Sequence, residues 1–125
     1  MIYEFCAKNV TLLEKAMQAG ARRIELCDNL AVGGTTPSYG VTKAAVELAA
    51  NYDTTIMTMI RPRGGDFVYQ DLEIAIMLED IRLTAQAGSQ GVVFGALTAD
   101  KKLDKVNLEK LIAASKGLRD RKSVV

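Results

Sequence analysis

With 125 residues the chain is long enough for one domain and one sizeable core. Its 49% hydrophobic and 25% charged residues are those of an ordinary soluble globular protein, and a net charge of +1 gives no electrostatic reason to seek nucleic acid or a membrane surface. Histidine is absent, which removes the commonest general base and the commonest metal ligand.

The chain opens on a strand pattern at residues 2–6, with no basic leader before it. Asn9 or Thr11 can cap the next helix, Thr11-Leu12-Leu13-Glu14 matching a capping box, and Gly20 stops it. A second strand is expected over Arg23–Cys27. A long loop with Asp28, Asn29, Gly33, Gly34 and Pro37 follows, and then a helix over residues 41–50 that Ser38 can cap. Residues 55–60 are β-branched and apolar on both faces, as in a buried parallel strand. After the loop Arg61-Pro62-Arg63-Gly64-Gly65-Asp66, a helix is predicted over residues 70–87, then a strand at Gly91–Phe94. Asp104 or Asn107 opens a last helix that Gly117 closes, and Ser123-Val124-Val125 begins a fifth strand.

No apolar run reaches the roughly 18 residues of a membrane span, and two cysteines without a scaffold pattern suit a reducing cytoplasm. Lysine and arginine gather after Ala99, where they read as a solvated helix face and tail; few aromatics interleave with them, so no nucleic-acid partner is expected. Alternating strands and helices predict an α/β fold with a parallel sheet. Four βα units suit a doubly wound sheet or part of a TIM-barrel (βα)8, since a whole barrel takes about 250 residues.

Function in such folds gathers where strands end and helices begin. Here the spelling repeats: Glu4-Phe5-Cys6 and Glu25-Leu26-Cys27. Period-2 alternation puts each Glu on the face of its Cys, with Phe5 and Leu26 turned to the helices. Two thiols at matching heights on adjacent strands could share a soft ion such as Cu(I) or Zn(II), although cysteine more often only fills apolar space, and tetrahedral zinc would need two more ligands. Inward carboxylates are costly unless paired. Arg61 and Arg63 are the expected partners for Glu4 and Glu25, or a fork for a small anionic molecule, with the glycine pairs 33–34 and 64–65 letting a ligand approach the backbone.

The blocks "RIELCDNLAVGGTTPSYG", "MTMIRPRGGDFVY" and "GVVFGALTADKKLD" closely resemble, in order and spacing, the CutC family of copper homeostasis proteins. The resemblance implies a TIM barrel, a cytoplasmic protein and a Cu(I) role carried by Cys6 and Cys27, in a pocket holding Glu4, Glu25, Arg61 and Arg63. Family members are longer and continue past a fifth strand. The chain therefore reads as one domain over residues 1–125, the first four βα units of that barrel. Copper homeostasis is the expected function; a barrel enzyme acting on a small anionic metabolite, or an inactive half barrel, is the alternative. Two open sheet edges and an uncovered inner face bearing Ile56, Met57, Met59, Val92 and Val93 predict a homo-oligomer.

Overall fold

Apolar strand runs and capped helices alternate in the computed structural model, which describes the backbone of residues 4–8, 12–116 and 120–123 and the side chains of residues 12–116. The strands are β1 (Glu4–Lys8), β2 (Arg23–Cys27), β3 (Thr55–Met59), β4 (Gly91–Phe94) and β5 (Asp120–Ser123). Between them lie α1 (Leu13–Gln18), α2 (Tyr39–Ala49), α3 (Asp71–Gln86) and α4 (Lys105–Ala114), with a 3-10 turn at Leu30–Val32. The sheet runs β1-β2-β3-β4-β5, and every neighbouring pair is parallel.

The register sorts the side chains into two faces. Ile24 pairs with Ile56, Leu26 with Thr58, and Thr58 with Val92, so these residues and Phe94 share one face. That face is where the helices pack. Leu13 and Met17 of α1 and Ala45 and Ala49 of α2 meet Ile24, Leu26 and Ile56 in one core cluster. Ile74, Met77 and Ile81 of α3 and Leu108 and Leu111 of α4 meet Val92 and Phe94 in another. Each fully buried side chain of this size is worth about 1.5–3 kcal/mol of gross transfer free energy. Thr58 sits within that face without penalty, because its hydroxyl meets Ser89 Oγ at 2.9 Å and Ser89 donates on to the Ile56 or Gly91 carbonyl.

The other face carries Arg23, Glu25, Cys27, Thr55, Met57, Met59, Gly91 and Val93. It is not the uncovered apolar surface expected from the sequence. Ile56 and Val92 lie under the helices, and Met57 and Val93, on the helix-free face, are each only 1% exposed. Met59 and Val93 share a cavity wall with Gly33 and Phe67, so the loops after β2 and β3 fold back over the strand ends.

Two element boundaries differ from expectation. The N-cap of α1 is Leu12, in the left-handed region at φ 58° and without a side-chain cap. Glu14 instead accepts a hydrogen bond from the Tyr52 hydroxyl at 2.9 Å; Asn9 and Thr11 lie outside the described residues. The fifth strand is Asp120–Ser123, three residues earlier than the apolar Ser123-Val124-Val125 suggested, because pairing with β4 rather than hydropathy defines it. Val124, Val125 and Gly117 lie outside the described residues. The caps at Ser38 and Asp104 form as expected, with Oγ of Ser38 accepting from Val41 N at 3.1 Å and Oδ1 of Asp104 from Asn107 N at 3.2 Å.

Candidate functional site

The segment after β2 is long because it wraps a guanidinium. Asp28 and Thr35 exchange backbone hydrogen bonds of 2.9 and 2.8 Å, closing a loop at its base. Inside it, Gly33 (φ 89°) and Gly34 (φ 97°) turn the carbonyls of Val32 and Gly34 toward Arg61. Arg61 Nη1 donates to Val32 O at 2.6 Å and to Gly34 O at 2.9 Å, while Nη2 donates to Gly65 O at 2.9 Å. The backbone reinforces this tie, with Arg61 N donating to Thr36 Oγ1 at 2.8 Å and Thr36 N to Arg61 O at 3.0 Å. The guanidinium lies 4.9 Å from the Phe67 ring centroid, and the residue is 8% exposed. Its Nε is buried without a hydrogen-bond partner.

Arg63, two residues on, is held differently. Its Nε and Nη2 donate to the Glu73 carboxylate, Nη1 donates to Asp66 O at 2.9 Å, Nη2 donates to Val68 O at 2.8 Å, and Asp66 Oδ1 stands 3.1 Å away. The hydrogen bond from Arg63, helped by one from Gln70 N, holds the Glu73 carboxyl below its usual range. The same pair raises Arg63. Arg63 also lies 5.1 Å from the ring of Tyr69, whose hydroxyl is buried beside Arg61 without a well-formed hydrogen bond and whose acidity burial weakens.

The described partners of Arg61 and Arg63 thus do not include Glu25, the pairing expected from the sequence; carbonyls and the acids Glu73 and Asp66 take those places. Glu25 is half-buried on the helix-free face and is itself engaged. Two of the glycines allow close approach by protein. A Cβ at Gly33 would stand 3.1 Å from Arg61 Nη1, and one at Gly64 would stand 2.9 Å from Val32 Cβ.

Cys27 ends β2 with 2% exposure. A Cβ at Gly34 would meet Met59 Sδ at 2.9 Å and Cys27 Sγ at 3.3 Å, so a thiol and a thioether border the same glycine. By residue type alone Met59 is an apolar side chain of the inner face. Its signal was present in the register: Leu26 pairs with Thr58, so the next residues along the two strands, Cys27 and Met59, are neighbours on one face. On the other side, β1 pairs Cys6 with Glu25 and Lys8 with Cys27. The two cysteines are therefore diagonal neighbours two register steps apart, not at matching heights; the side chains of Cys6 and Glu4 lie outside the described residues. Among the described residues no three His, Cys, Asp or Glu side chains converge as a metal cluster. A cavity of about 120 Å³ opens beside this group, lined by Gly33, Met59, Arg61, Phe67, Val93 and neighbouring residues.

The whole pattern of residues 1–120 matches the CutC family. The chain belongs to the CutC family. It is 54% identical over 118 residues to a family protein CutC of Streptococcus pyogenes serotype M6, covering 94% of this chain and 56% of that protein. A CutC of Enterococcus faecalis is 50% identical over 119 residues, covering 95% of this chain and 57% of the relative. The crystal structure of a Streptococcus agalactiae CutC, described as a candidate copper homeostasis protein, superposes with a TM-score of 0.92 at 48% identity, over 98% of this chain and 59% of that one. The chain thus spans little more than half the length of the relatives it matches. No helix among its described residues is long and apolar enough to cross a membrane.

Proposed function

We propose that this CutC-family chain acts in cytoplasmic copper homeostasis, holding Cu(I) through Cys27 and Cys6 at the strand-end mouth of a TIM-type (βα)8 barrel. Residues 1–125 would be one domain supplying about the first half of that barrel. Sequential parallel strand order with the described helices on one face supports the barrel arc over a doubly wound sheet, where helices cover both faces. The observation that carries the copper reading is the meeting of Cys27 Sγ and Met59 Sδ at Gly34, a thiolate and a thioether being the soft donors that select Cu(I). Cys6, a diagonal neighbour, would complete the donor set. Anaerobic titration with Cu(I) against a competing chelator is the test. About one ion per chain is expected, with tight binding lost in Cys27→Ser and weakened in Met59→Leu. Because the thiolate must form first, affinity should also fall as pH drops below the thiol value of about 8.5. Unchanged affinity in Cys27→Ser would return this cysteine to a packing role.

The second reading is a pocket for a small anionic molecule, in a binding protein or enzyme. It is favoured by the buried Arg61 cation, whose described partners are all carbonyls, beside a cavity at the ends of β3 and β4. Either reading needs the outer strands β1 and β5 covered, by a second copy or by the remaining βα units. Two copies would bring ten strands rather than eight, so simple twofold closure needs β5 displaced. Light scattering at low micromolar concentration should report a species larger than 13.5 kDa; a stable monomer would sink self-association.

A further inference from the structure

The wall of the 120 Å³ cavity is apolar apart from one cation. Met59, Ile60, Phe67, Val93 and Phe94 supply the hydrocarbon surface, and Arg61 supplies the charge. Nη1 of Arg61 spends both its hydrogens on Val32 O and Gly34 O, and Nη2 spends one on Gly65 O. Nε–H is left buried without a well-formed hydrogen bond, beside the Tyr69 hydroxyl, which also lacks one; it is a charged donor that a carboxylate can accept from. A buried cation with an unpartnered donor, against an apolar hollow, is costly for the protein alone. Its chemistry is complementary to one ligand type.

We infer that this cavity is the subsite of a small monocarboxylate with a compact apolar body, its carboxylate on the unpartnered Nε–H of Arg61 and its hydrocarbon part against Met59, Phe67 and Val93. The inference rests on the small-anion reading and names its ligand class. An engineered apolar cavity of about 150 Å³ takes benzene, so this somewhat smaller one suits a compact branched chain, with a single ring at its upper limit. A phosphate is the wrong partner: its second charge would face apolar walls with one guanidinium to neutralise it. Phe67 is the movable wall, being half-buried and stacked on the guanidinium that the carboxylate must reach.

The test is an NMR titration of the whole chain with isobutyrate, benzoate, isobutyramide and inorganic phosphate, reading the Arg61 Nε–H resonance. Isobutyrate or benzoate should saturate and shift it, while isobutyramide and phosphate leave it unmoved. Arg61→Gln should abolish the effect, but that change also removes loop ties. Met59→Phe is therefore the second variant: it fills the cavity from a half-buried position, keeps Arg61, and should weaken carboxylate binding about tenfold or more. Binding undiminished in Met59→Phe overturns the placement. Phosphate binding without carboxylate binding overturns the ligand class and leaves the anion reading standing. No binding by any anion removes both.

Discussion

Arg61 and Arg63 leave the same strand two residues apart, yet they do opposite work. Arg61 is buried, pairs with three carbonyls from two loops, and has no carboxylate among its described partners. Arg63 is partly exposed and meets Glu73 and Asp66. The difference is one of dielectric. A surface ion pair is screened by water and adds little, whereas a buried guanidinium bound to carbonyls fixes backbone that would otherwise carry unpaired acceptors. The first arginine therefore shapes the site, and the second trims its rim.

Arg61→Ala is expected to have the largest effect on stability. It strips the donors from Val32 O, Gly34 O and Gly65 O at once, and a buried acceptor left without a partner costs about 1–3 kcal/mol. A loss of roughly 3 kcal/mol or more, measured by urea unfolding, is expected. Arg61→Lys should recover less than half, because one ammonium cannot span carbonyls held by a planar fork. If the lysine variant matched the wild type, charge rather than geometry would be what holds the loops.

Gly34→Ala comes next. At φ 97° an alanine is strained, and its Cβ would press on Met59 Sδ and on Cys27, for a cost of about 2 kcal/mol. Adding Met59→Ala should restore part of that loss, since residues in contact couple. Purely additive losses would show that the strain lies in the backbone and that the two sulfurs do not crowd this glycine.

These sites also mark where the sequence was legible. Caps leave chemical signatures, so Ser38 and Asp104 could be read from residue type, and the apolar β4 was read to the residue. The inward face of β2 followed from period-2 alternation, with Leu26 under the helices. What could not be read is whatever depends on register or on carbonyls. Every sequence offers carbonyls, so nothing in the spelling said that Arg61 would take Val32, Gly34 and Gly65 in place of Glu25. The two-step offset of Cys6 and Cys27, and the neighbourhood of Met59, come from pairing across strands. Asp120–Ser123 hid as a strand because its residues are polar.

Ser38→Ala should cost about 1 kcal/mol, the loss of one N-cap acceptor at the helix that follows the loop. A thermal shift too small to resolve would mean that the Arg61 tie alone sets where α2 begins.

The smallest effect belongs to the other arginine, and pH can isolate it. Arg63 lowers the Glu73 carboxyl in the folded state, while in the unfolded chain that group titrates near about 4.3. A depressed folded value gives stability that is present above the unfolded value and is lost as pH falls through the folded one. Glu73→Gln keeps one oxygen to accept from Arg63 Nη2 and from Gln70 N but loses the one that accepts from Arg63 Nε, so it removes the charge together with one hydrogen bond. Its melting temperature should fall slightly below that of the wild type at pH 7, and the two should converge as the medium is acidified below pH ~4. Raising salt at pH 7 should narrow the gap as well, because Arg63 stands where water and ions reach it. A gap that survives both acid and salt would mean that Glu73 works through the Gln70 cap of α3, and that the charge on Arg63 does as little for the fold as its exposure suggests.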